Sequence, residues 1–121
     1  MTLERVRAIC LKFPHATEQI QWGNDLVFKI GGKMFAVAAL ENTGKALAFK
    51  CTPEEFGLLT ENEGIIPAPY LARAHWVSLE KFDTLSASEL SRRLRDSYDL
   101  VFGGLTKKAQ AALAPVKKPV Q

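Results

Sequence analysis

The pair Gly31-Gly32 constrains this chain more than any other feature. It is flanked by Leu26–Ile30 and Lys33–Leu40, two runs rich in apolar and aromatic residues. Two glycines between such runs supply the positive φ angles that a two-residue hairpin turn demands. The simplest register sets Ile30 against Lys33, Lys29 against Met34 and Phe28 against Phe35. Phe28, Ile30, Phe35 and Val37 then share one face, suited to a core under helices. Val27, Lys29, Met34 and Ala36 share the other, which is mixed and half apolar.

The segments around this hairpin extend it into a meander. Ile20 and Trp22 alternate with Gln19 and Gln21, a short strand, before a turn at Gly23-Asn24-Asp25. Glu41–Gly44 makes the next turn and Lys45–Cys51 the next strand. Helices bracket the strands. Thr2 can cap a first helix, in which Val6, Ile9, Cys10 and Phe13 form one apolar stripe, and Pro14 ends it. Thr52-Pro53-Glu54-Glu55 starts a second helix with a capping box and a proline at its first position. Gly64–Leu71, with Pro67 and Pro69, reads as an ordered loop, and His75–Leu79 returns to strand. Ser86 with Glu89 is a second capping box. It opens a helix with Leu90, Leu94, Tyr98 and Val101 on one face. Gly103-Gly104 interrupts that helix and leaves Leu105–Leu113 as a separate short one. The predicted class is α+β: a two-layer domain in which an antiparallel sheet of about five strands has helices on one face, in the order α-β-β-β-β-α-β-α. The other face stays open unless loops or a partner cover it.

Size and charge bound the rest. The chain has 121 residues, the size of one ordinary core. The domain is expected over residues 1–114, with 115–121 a basic, mobile tail. Net charge is +3, but Lys107, Lys108, Lys117 and Lys118 lie after residue 99 with no acid beside them. The first 99 residues hold 12 basic and 13 acidic groups, so the basic character belongs to the end of the chain. Cys10 and Cys51 form no metal-binding spacing, which points to free thiols in a reducing compartment. The N-terminus lacks the apolar stretch of a signal peptide, and no apolar run approaches about 18 residues. The expected location is cytoplasmic, with no membrane partner.

At the level of motifs, Trp22-Gly23-Asn24, then Val27 through Ala36, resembles the opening of the MmcQ/YjbR family. So do Lys50-Cys51 before Pro53-Glu54-Glu55-Phe56. So does Ile66-Pro67-Ala68-Pro69-Tyr70-Leu71-Ala72-Arg73-Ala74-His75-Trp76-Val77, followed by Ser97-Tyr98-Asp99-Leu100-Val101. The similarity runs from Leu3 to Leu113, in order and at compatible spacings. It implies a small cytoplasmic bacterial protein with an α+β fold likened to frataxin-like and secretion-chaperone-like domains. It also implies DNA binding through a double-wing arrangement of strands and loops.

Within those motifs the DNA-binding candidates are Lys29 and Lys33 on the hairpin, Lys50, Arg73 and His75. Cations meet phosphates, and an arginine can also reach a guanine edge. The plainer role for the lysines is to keep sheet edges soluble. Trp22, Tyr70 and Trp76 are candidates for an aromatic cleft under the Pro67–Ala74 loop, suited to a base or another flat ligand. A tryptophan on a strand is more often core. Two other functions compete with DNA binding. One is a protein-interaction or chaperone-like module, or self-association, through Val27, Met34 and Ala36. The other is a small-ligand pocket around Trp22 and Trp76.

Catalysis and cofactors find little support in the sequence. Cys51 lies beside Lys50 and just before a helix N-terminus, a setting that can lower a thiol pKa, and His75 is its nearest candidate base. No motif joins the two, so the expectation is a non-enzyme. The scattered His and Cys make no chelating set, and the first helix has only Glu4 where an iron-binding ridge would need several acids. Gly31-Gly32-Lys33 lacks the spacing of a phosphate loop. No metal and no cofactor are expected.

Overall fold

The computed structural model of the chain describes residues 1–41 and 43–113. The expected boundary at residue 114 and the 115–121 tail lie outside the described residues. Helix α1 covers Leu3–Lys12 and is followed by β1 (Thr17–Gln21), β2 (Asp25–Ile30), β3 (Lys33–Ala39) and β4 (Leu47–Lys50). Helix α2 (Pro53–Leu59) precedes β5 (Ile65–Pro67), a 3-10 turn at Ala72–Ala74 and β6 (Trp76–Leu79). Helices α3 (Ala87–Gly103) and α4 (Lys107–Leu113) complete the order.

The six strands form one antiparallel sheet in the order β1-β2-β3-β4-β6-β5. That is one strand more than the sequence reading expects. The extra strand, β5, lies in the segment whose prolines predict a loop. It has three residues and pairs only with β6 at the sheet edge. An edge position tolerates Pro67, whose missing N–H would break a ladder in the interior.

One layer of helices covers one face. Phe28, Ile30, Leu47, Phe49, Val77 and Leu79 from the sheet meet Val6, Cys10, Leu90, Leu94 and Tyr98 from α1 and α3 in a single buried core. The expected starts hold at the level of hydrogen bonds. The Arg5 N–H donates to Thr2 Oγ, and Thr52 with Glu55 makes a complete capping box. The second box is half formed. The Glu89 N–H donates to Ser86 Oγ, but the Glu89 carboxylate turns to Arg93.

The hairpin departs from the expected register at one point. Lys29 faces Met34 and Ile30 faces Lys33, but Phe28 faces Ala36, with a bulge between. Phe35 is the extra residue. Both Phe35 and Ala36 turn into the core, so Val37, expected in the core, lies on the open face instead. The physical reason sits far along the chain. The bulge withdraws Phe35 from the regular pairing, and Ser97 Oγ on α3 donates to the Phe35 carbonyl at 2.6 Å. The same hydroxyl accepts from the Lys50 N–H at 2.9 Å, where β4 ends. The Phe35 ring then packs against Phe13, Phe28 and Tyr98 at centroid distances of 5.9, 6.3 and 5.5 Å. The glycines do what the turn requires, with φ of 60° at Gly31 and 81° at Gly32. Gly31 also admits a neighbour: a Cβ there would lie 2.7 Å from a Leu105 methyl.

Candidate functional site

Strand alternation fixes what the open face carries. With Leu26, Phe28 and Ile30 in the core, Asp25, Val27 and Lys29 point the other way. Met34, Val37 and Ala39 on β3 do the same, as do Ala48 and Lys50 on β4, and Trp76 and Ser78 on β6. Part of this face is covered. The chain after β5 folds back over β6, and Ala68, Trp76 and Ser78 are buried there.

A groove of about 590 Å³ remains open beside that loop. Its apolar sheet residues are Met34, Val37, Ala39 and Ala48. Pro69, Tyr70 and Leu71 line it from the β5 side of the sheet, and Trp22 from the β1–β2 turn on the other. Asp25, Thr43, Lys45 and Ser78 are its polar groups.

The two aromatic residues of this groove are held unusually. Trp22 has φ 52° and Tyr70 has φ 67°, both in the left-handed region. For a bulky residue that conformation costs about 1–2 kcal/mol. Neither ring recovers the cost by burial: Trp22 is 66% exposed and Tyr70 fully so. Strained backbone conformations of this kind gather at binding sites.

The cations expected to bind phosphate fall at one end of the sheet. Lys33 is exposed at the start of β3, where it pairs with Ile30 and so lies on the covered side of the sheet, and Lys29 faces Met34 on the open side. Lys50 ends β4 opposite Trp76, and Arg73 is exposed on the 3-10 turn just before β6. Lys50 Nζ donates to the Ala74 carbonyl, which holds its side chain along that turn. His75 is left-handed, with φ 63°, so strand β6 begins one residue later than expected. Its ring meets Phe56 edge-on at 5.6 Å, beside α2, and does not line the groove.

One expected arrangement is corrected. Trp76 is 4% exposed and contributes no wall to the groove, so the aromatic cleft consists of Trp22 and Tyr70. The setting of Cys51 does not activate its thiol. Burial pushes it up to about 11, and the Glu55 carboxylate adds to this, outweighing Arg93 and Lys50. Cys51 meets the backbone of His75: its thiol donates to the His75 carbonyl at 3.4 Å, and its N–H donates to the same oxygen at 2.9 Å. The Cys10 thiol is pushed higher, to about 12, by burial alone. Among the described residues, no group of three or more His, Cys, Asp and Glu side chains gathers as a metal site. No helix there is long and apolar enough to cross a membrane.

Asp25 and Lys45 are the charged groups that the sequence reading missed. Asp25 reads as a turn residue and Lys45 as the start of a strand. Only the pairing of Asp25 with Ala39, and the bond from the Ala39 N–H to the Ala46 carbonyl next to Lys45, put both beside one groove.

Comparison with known proteins gives consistent answers. A family model described as YjbR matches residues 11–100. A protein of Escherichia coli O157:H7, YbdF, described as uncharacterized, is 28% identical over 115 residues, 93% of each chain. The crystal structure of Deinococcus radiodurans protein DR2400, with a DUF419 family-model domain, is 30% identical. It superposes with a TM-score of 0.81 over 93% of this chain and 87% of that one. A crystal structure of a Pseudomonas syringae protein shares the fold at a TM-score of 0.66, with 22% identity over 83% of this chain and 98% of the other.

Proposed function

This chain belongs to the YjbR family, and from that premise we propose that it is a non-enzymatic binding protein whose open sheet face takes DNA. One observation supports the reading above the others, and it concerns how the charges are partnered. The ion pairs of the described residues all involve helix arginines: Arg7 with Glu18, Arg92 and Arg93 with Glu89, Arg93 with Glu55, and Arg95 with Asp99. Lys29, Lys45 and Lys50 on the open face, with Lys33 at the hairpin end and Arg73 on the 3-10 turn, form no ion pair among the described residues. Glu18 points to α1, so Asp25 is the one strand acid on the open side. Cations without an ion pair, with a single strand acid beside them, give this face groups that an anionic polymer could meet.

The test is fluorescence anisotropy of labelled DNA at several salt concentrations, with Lys33→Ala/Arg73→Ala beside the unaltered protein. Losing two phosphate contacts should weaken binding and flatten the log–log salt dependence by about two units. Unchanged affinity in a folded double variant would sink the assignment of these residues.

The apolar sheet residues of the groove favour a second reading, a small flat ligand lodged between Trp22 and Tyr70. Its binding would be insensitive to salt, and tryptophan emission would report it. A protein-interaction or self-association role through this face would use Met34 and Val37, because Ala36 is in the core and Val27 is buried. A dimer by light scattering, stable at high salt, would support that role.

A further inference from the structure

We propose that the groove between Trp22 and Tyr70 receives the face of an unpaired nucleobase, so that this surface selects single-stranded over duplex DNA. The inference rests on the DNA reading above and deepens it. Its starting point is the pair of exposed rings, each held in a left-handed backbone conformation on opposite sides of one groove. A ring left in water by a strained turn has its flat face available for stacking. In a duplex the base faces are covered by their neighbours, and only edges and phosphates are presented. Rings can stack on a base only when it is out of the pair.

The surroundings match such an occupant. The groove is apolar along Met34, Val37 and Ala48, as a stacked base requires. Cations stand at both ends of it: Lys29 and Lys50 towards the hairpin end, and Lys45 at the other. A strand laid along the face would keep its phosphates near lysines as its bases enter the groove. Asp25 would repel a phosphate, but its carboxylate can accept from the N–H groups of a base edge. The aromatic pair sets the strand preference, and the lysines set the affinity common to both forms.

The experiment uses the full chain and two labelled probes, an oligonucleotide of about 12 nucleotides and its duplex. Trp22→Asn and Tyr70→Asn are the informative variants. Asparagine tolerates the left-handed conformation, so both should melt at or above the temperature of the unaltered protein. The single strand should bind at least about tenfold tighter than the duplex, and each variant should lose about tenfold or more for the single strand only. The salt slope should not change, because no cation is removed. Trp22 emission should be quenched by the single strand and not by the duplex. Equal binding of both probes, or variants without effect, would overturn the inference and leave the DNA reading standing. Binding of neither probe would overturn both.

Discussion

On the covered face of the sheet, Phe28, Ile30, Phe49 and Val77 are fully buried, and Arg7, Arg92, Arg93 and Arg95 of the helices are paired with acids. On the open face of the same strands, Met34 and Val37 remain partly exposed, and Lys29 and Lys50 have no ion-pair partner among the described residues. The strands supply both sets of side chains by simple alternation, so local propensity cannot explain the contrast. What separates the two faces is what lies on top of them. The covered face gains burial energy, and its charges are tied down at its margins. The open face keeps strained, exposed aromatics and cations without ion pairs, the features on which the proposed binding role rests.

The contrast is sharpest in the response to truncation. Leu94→Ala on α3 removes a fully buried side chain and should cost about 3–4 kcal/mol in urea denaturation. Met34→Ala on the open face should cost less, about 1 kcal/mol, since it is partly exposed and borders an open groove. Similar losses at the two positions would break the comparison.

Ser97→Ala is next in size. It strips the Phe35 carbonyl and the Lys50 N–H of their partner at once, and should cost about 2–3 kcal/mol. Amide exchange should rise at Lys50, next to the bulge. Unchanged exchange there would mean that the bulge holds without α3.

The smallest expected effect concerns the charges of the covered layer. Burial pulls the Glu55 carboxyl up, but bonds from Thr52 and the Arg93 guanidinium outweigh it and hold it below its ordinary value. Glu18 is likewise lowered, chiefly by its bond from Arg7. Both groups therefore contribute stability that is complete above the unfolded value of 4.5 and is lost as pH falls through the lower folded value. Glu55→Gln should reduce stability at neutral pH by about 0.5–1 kcal/mol and flatten the acid limb of the stability curve. DNA affinity at neutral pH should be unmoved, since Glu55 belongs to the helix layer. A large change in affinity would blur the separation of the two faces.

Much of the fold was legible because its signals are local. Gly31-Gly32 specified the hairpin, Thr52 with Glu55 specified the start of α2, and the spacing of Leu90, Leu94 and Tyr98 specified the buried side of α3. The bulge was not legible. Phe28 opposite Phe35 is the simplest register for a two-residue turn, and the preference for Ala36 depends on a hydroxyl 62 residues from Phe35. The site was legible only in part. Trp22 and Tyr70 were marked as aromatics beside turn residues, but nothing in the sequence says that both adopt positive φ. Trp76 was marked with them, and the loop from Ala68 to Leu71 buried it.

The sequence by itself determined the element order, the apolar stripe of each helix and the hairpin turn, because each depends on residues a few positions apart. It also placed the cations, one by one. Tertiary structure alone decided which strand residues share a face, which aromatics stay in water, and that Asp25 and Lys45 meet beside one groove. Those outcomes depend on register and layer packing, where one extra residue in a strand redirects every side chain beyond it.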